Sequence, residues 1–160
     1  MKNRLWAEFQ RQLRLFSPLS KMTFSFKYKP VRLVSGKSIL RPIIPLIIGK
    51  EKFNVFGMLD SGSDITIIPK ELAEVMEIEY GGENEVSGIS GVAVKAREGK
   101  LNIQFGKRRE IYNFDIPVLV PEKDGLNLII GRLGFFNQFK ITFSEAEKRI
   151  EFRKTIFYSR

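Results

Sequence analysis

The 160-residue chain predicts an all-β protein, a barrel or a sandwich. Three observations carry that prediction. From Thr23 onward, short apolar stretches alternate with polar residues at a period of two, and Gly, Asn or Pro punctuates them. Helical periodicity is confined to one segment near the N-terminus and to one or two short stretches later. The composition, 43% hydrophobic and 28% charged, is that of a single domain long enough to bury a core.

Taken in order, residues 4–16, "RLWAEFQRQLRLF", place Leu5, Phe9, Leu13 and Phe16 at helical spacing, with Arg4, Arg11 and Arg14 on other faces. Ser17-Pro18 ends that pattern. The plainer role for such a helix is packing on its own domain or a sister subunit; the sharper one is lying on a membrane or nucleic acid. Met22 offers an internal start, which would make residues 1–21 upstream sequence. "TFSFKY" and "KFNVFGML" alternate as strands do. "RPIIPLIIG" is an apolar strand interrupted by prolines, which predicts a sheet edge, because proline has no N–H to give a ladder. Pro69 opens a helical stretch, "PKELAEVME", with Pro at the first helical position and acids in the early turns. "VSGISGVAVKARE" and "KLNIQFG" predict a hairpin with a Gly-bracketed tip, followed by the strands "REIYNFDIPVLV" and "LNLIIG". "GRLGFFNQF" holds one more helical turn, and "KITFSEAEKRIEFRK" closes the chain as a hairpin.

The chain has no Cys and no His. Disulfides, thiol nucleophiles, Cys/His zinc sites and Ser-His-Asp arrangements are thereby excluded. Hydrolytic chemistry is left to carboxylates, Ser, Lys, Tyr or a metal with oxygen ligands. The net charge of +9 on its own suggests nucleic acid or an anionic membrane. Its distribution is uneven. Residues 1–37 carry nine Lys and Arg against the single acid Glu8, whereas residues 38–160 carry eighteen against seventeen. This divides the chain into a basic N-terminal arm, 1–37, and a nearly neutral domain, 38–160; a nucleic-acid or anionic-membrane role rests on the arm. The first twenty residues lack the uninterrupted apolar core of a secretory signal, and the run Ile43 to Ile48 is too short to span a bilayer. The expected location is the cytoplasm.

Three stretches can carry chemistry. In "MLDSGSD", residues 58–64, a carboxylate emerges from an apolar strand into a tight turn. It is desolvated from behind, while backbone N–H groups and hydroxyls can hold it from the front. Gly62 lets the backbone approach without a Cβ. Asp, Ser and Gly are also ordinary turn residues, so the tripeptide is weakly specific alone. "LNLIIGRLG", 126–134, is an apolar run with a basic residue, Arg132, at its exit. "SGISG", 87–91, is the tip of a hairpin, and such tips often serve as lids.

In this order, with these flanks, residues 38–143 resemble the retropepsin-like aspartic proteases, single-domain relatives of the retroviral enzymes, particularly those found in prokaryotic genomes. "MLDSGSD" matches the apolar-apolar-Asp-Thr/Ser-Gly signature, "SGISG" the Gly-rich flap, and "LIIGR" the apolar-apolar-Gly motif before a short helix. The resemblance implies a small closed acid-protease barrel, homodimeric, acting on polypeptides with neither cofactor nor metal. It assigns Asp60 as the catalytic carboxylate and Ser61 as a hydroxyl reaching the partner subunit's backbone. Gly62 shapes the turn, and Ser63 is placed to support the carboxylate. Asp64 and Arg132 occupy positions the family uses for an ion pair. Gly88, Ile89, Ser90 and Gly91 form the flap tip. Ile65, Ile89, Val92 and Ile129 are candidates to line substrate pockets.

Only one Asp-Ser-Gly occurs in the chain, so the resemblance implies that Asp60 is contributed twice, across a two-fold axis. Two carboxylates about 3 Å apart share one proton and titrate as a pair, the established behaviour of aspartic-protease dyads. The chain departs from the retroviral pattern in residues 1–37, in the helix-forming "PKELAEVMEIEY", in the hairpin of residues 144–160 and in Ser90 of the flap. A second reading keeps the barrel as a dimerisation or peptide-binding module without turnover. A third makes the basic arm the functional element, a tether that binds with steep salt dependence.

Overall fold

Residues 23–76, 78–87 and 91–155 are described by the computed structural model. The helix expected over 4–16 and the flap-tip residues Gly88, Ile89 and Ser90 lie outside them. The strands are β1 (Thr23–Lys27), β2 (Lys29–Arg32), β3 (Ser38–Arg41), β4 (Ile43–Ile48), β5 (Phe53–Leu59) and β6 (Thr66–Ile67). After helix α1 (Lys70–Val75) come β7 (Tyr80–Ser87), β8 (Ala93–Lys107), β9 (Glu110–Pro121) and β10 (Ile129–Ile130). A 3-10 turn, Phe136–Gln138, precedes β11 (Phe139–Ser144) and β12 (Arg149–Lys154).

Six strands close into a barrel in the order β4-β5-β10-β6-β9-β8, with β8 returning to β4 through Ile47 opposite Gln104 and Ile48 opposite Ile103. Period-two alternation fills its interior: Ile44, Leu46 and Ile48 of β4 face inward, as do Leu101, Ile103 and Phe105 of β8. β7 continues the sheet beyond β8 as the outer strand of a long hairpin, β2 and β3 form a separate ribbon, and β1, β12 and β11 make a three-stranded sheet.

β4 has partners on both sides, so the edge expected from its prolines is only partly present. Its ladder to β8 begins at Ile47, and Pro45 is paired with Phe56 of β5 alone. Proline occupies the one-sided half of the strand, where a missing N–H is tolerated. Pro69 likewise sits one place earlier than expected. Its ψ of 138° is extended, which makes it the cap residue and starts α1 at Lys70.

The three-stranded sheet closes the base of the core with aromatic rings. Phe24 of β1 and Phe152 of β12 stack with centroids 5.4 Å apart, and Phe105 of β8 meets Phe152 edge-on at 4.8 Å. Phe135 and Phe139 pack on the same ring of Phe105, at 5.1 and 5.4 Å. Pairs of this kind contribute roughly 0.5–1.5 kcal/mol each beyond their burial. Phe24 and Tyr28, both within the basic segment 1–37, are buried, and β1 pairs with β12 along its whole length. Charge alone does not mark where the domain begins. The one cation of β1, Lys27, faces outward, while Phe24 enters the core and Phe26 packs against it.

Candidate active site

β5 and β10 run parallel, Met58 opposite Ile129 and Leu59 opposite Ile130, while β10 lies antiparallel to β6 at Ile67. The chain leaving β5 must therefore cross the end of β10 before it returns as β6. That crossing, residues 60–65, is the Asp-Ser-Gly turn. Its entry is pinned by backbone bonds: Met58 N–H donates to Leu128 O (2.9 Å), Leu59 N–H to Pro42 O (2.9 Å) and Asp60 N–H to Ile130 O (3.1 Å). The half-buried Asp60 carboxylate accepts from Gly62 N–H at 2.8 Å through Oδ1, and Ser63 N–H donates to Asp60 O at 3.2 Å. This is an Asx-type turn, and it orients the carboxylate with no other side chain. A Cβ at Gly62 would stand 3.2 Å from Oδ1 and crowd it.

The far side of the turn is stitched to the segment after β10. Arg132 N–H donates to Ser63 O (2.9 Å) and Leu133 N–H to Asp64 O (2.8 Å). The Arg132 guanidinium also donates to Asp64 Oδ1 in an ion pair. Both side chains are well exposed, 58% and 76%, so the pair itself contributes only about 0–1 kcal/mol and the backbone bonds do most of the fixing. The two segments approach so closely that a Cβ on Gly131 would lie 2.4 Å from the Ile65 carbonyl carbon. Gly131 N–H reaches the Thr66 hydroxyl at 3.1 Å, and Thr66 is fully buried. In the sequence the only trace of this contact is a lone hydroxyl inside the apolar run "ITII".

Ser61 is exposed, and its hydroxyl makes no hydrogen bond among the described residues. The Ser63 hydroxyl donates to Ile65 O at 2.8 Å rather than to the Asp60 carboxylate, so it braces the exit of the turn. Gly91, at the end of the β7–β8 connection, has φ +68°. The two described pocket candidates closest to the turn, Ile65 and Ile129, pack with Val86 and Leu126 on a small buried cluster of Ile67, Ala96 and Leu119. Val86 and Ala96 come from the β7–β8 hairpin, so this cluster is an apolar wall between hairpin and turn. Val92 is 65% exposed and outside it. Val86, Ala96, Leu119 and Leu126 read in the sequence only as strand or loop residues, because their meeting depends on pairings distant in the chain. Among the described residues no three acidic side chains cluster as a metal site would require.

No family model and no curated protein sequence matches the chain. Among solved structures, a retropepsin-like aspartic protease from Rickettsia conorii aligns with a TM-score of 0.53 over 87% of this chain and 98% of that one, at 16% identity. EIAV protease complexed with the inhibitor HBY-793 aligns over 64% of this chain and 88% of that one, at 22% identity and a TM-score of 0.42. With its closed six-strand barrel and the crossing of β5 and β6 over β10, the chain has the retropepsin-like fold.

Proposed function

We propose that the protein is an aspartic endopeptidase, active as a homodimer in which each subunit contributes Asp60. The observation that carries this is the Asp60 carboxylate itself. It sits at the mouth of a barrel strand, oriented by Gly62 N–H and pinned through its own N–H to β10, on a retropepsin-like fold. One chain supplies one such carboxylate, and a second copy completes the pair.

In the pair, one carboxylate is ionised and the other protonated. The ionised Asp60 takes a proton from water as the water oxygen attacks the peptide carbonyl carbon. The protonated Asp60 gives its proton to the carbonyl oxygen, and the tetrahedral intermediate collapses to acid and amine as the leaving nitrogen is protonated. Ser61, exposed and without a partner of its own among the described residues, is the hydroxyl we assign to the other subunit's backbone. The wall formed by Ile65, Ile129, Val86 and Leu126 supports a preference for apolar substrate side chains.

Asp60→Asn tests the proposal. Cleavage of a denatured protein substrate is expected to fall by at least about a thousandfold, with the sedimentation profile and melting curve unchanged. Undiminished cleavage, or full activity in a strict monomer, overturns it. A wild-type dimer that binds peptide without cleaving it supports the module without turnover instead.

A further inference from the structure

We propose that the outer face of the β1-β12-β11 sheet is a docking surface for an anionic lipid bilayer. Register places its residues in three rows: Thr23, Arg153 and Lys140; Ser25, Glu151 and Thr142; Lys27, Arg149 and Ser144. The residues between them, including Phe24, Phe26, Ile150 and Phe152, pack into or against the core. Alternation therefore turns four cations, four hydroxyls and one acid to the opposite face. Lys27, Lys140 and Arg153 are exposed there, and Arg149 is half-buried with Glu147 at 3.9 Å. Lys107 Nζ donates to Ser25 O at 3.0 Å and lies 5.4 Å from the Phe26 ring, so the exposed turn Lys107, Arg108 and Arg109 meets the sheet at β1.

This concentration is local. The flap hairpin carries the acids Glu83 and Glu85 beside Lys95 and Arg97, and residues 38–160 as a whole are nearly neutral. A flat basic face rich in hydroxyls suits rows of phosphate headgroups. It presents no aromatic ring on which a nucleic-acid base could stack. The chain that leads into β1 favours the same partner. Residues 4–16 place Leu5, Phe9, Leu13 and Phe16 at helical spacing, with Trp6 beside them and Arg4, Arg11 and Arg14 on other faces. Of the two roles open to that segment, lying on a lipid interface is the one compatible with such a face. The surface is independent of Asp60 and would fix which way the domain faces relative to the membrane.

Vesicle co-sedimentation of the full chain tests this, with mixed phosphatidylglycerol/phosphatidylcholine vesicles against phosphatidylcholine alone. Partitioning is expected to be at least about tenfold stronger into the anionic vesicles and to weaken as salt is raised. The triple variant Lys27→Gln, Lys140→Gln, Arg153→Gln is expected to lose most of that advantage. A control with equal charge loss, Lys50→Gln, Lys95→Gln, Lys123→Gln, is expected to keep it. Equal partitioning into neutral vesicles, an equal loss in the control, or tighter binding to an RNA or DNA duplex than to the vesicles overturns the proposal.

Discussion

Phe152 and Asp60 are held in place by different means. Phe152 is fully buried, with the rings of Phe24, Phe26, Phe105 and Phe139 around it at 4.8–6.0 Å. Asp60 is half-exposed, and what orients it is directional: backbone hydrogen bonds, a Cβ-free neighbour and the close passage of residues 131–133. The base draws its stability from apolar area, which is non-directional and additive over many contacts. The turn depends on a few bonds with fixed geometry. Changes at the base should therefore act on how much protein is folded, and changes at the turn on what the folded protein does.

The largest stability effect belongs to the base. Phe152→Ala is expected to cost about 3–5 kcal/mol in urea unfolding, from lost burial and the cavity left behind. Activity per folded molecule should be preserved. Gly131→Ala would break the division, because its Cβ would meet Ile65 backbone at 2.4 Å. A loss of about 1–3 kcal/mol is expected, comparable to overpacking elsewhere, together with a fall in cleavage larger than the unfolded fraction explains. Arg132→Gln sharpens the contrast from the other side. Removing an exposed pair should change stability by less than about 1 kcal/mol, and cleavage should fall by no more than a few-fold, because the backbone bonds from Arg132 and Leu133 still hold the turn.

The smallest effect is at Lys154, which closes β12 among rings of the base. Its Nζ lies 5.3 Å from the Phe139 centroid and 5.4 Å from that of Tyr112, and donates to Gln138 Oε1. The rings favour the cation and burial opposes it; burial prevails and pushes the amine below the usual lysine range. Between that lowered value and about 10.4, the unfolded chain binds the proton more readily, so stability rises with pH across this window. Lys154→Met is expected to raise the melting temperature slightly at neutral pH and to remove that alkaline rise. A variant whose pH profile matches the unmodified protein would contradict the assignment.

Much of the β architecture was legible because it is local. The hairpin β11–β12 follows from alternation on either side of "SEAEK", and β8–β9 from alternation around a short basic turn. The carboxylate turn was legible as a turn because Asp, Ser and Gly favour one. The insertion of β10 between β5 and β6 was not, since β10 is two residues long and its pairs, Ile129 with Met58 and with Ile67, link segments far apart in the chain. Nor was the inclusion of β1 in the domain, because the charge of segment 1–37 masked the buried face of "TFSFKY". Ser63 faces Ile65 O rather than Asp60 because the hydroxyl follows the local backbone.

By itself, the sequence determined the β class, the absence of thiol and imidazole chemistry, and the position of one carboxylate turn. Periodicity and residue chemistry are properties of neighbours along the chain. Only the tertiary structure decided that β10 passes beneath that turn. It likewise brings Gly131 against Ile65, and carries Val86 and Ala96 of the hairpin to the wall beside the turn. Those contacts depend on barrel closure, which is specified by the whole core and by no single stretch of it.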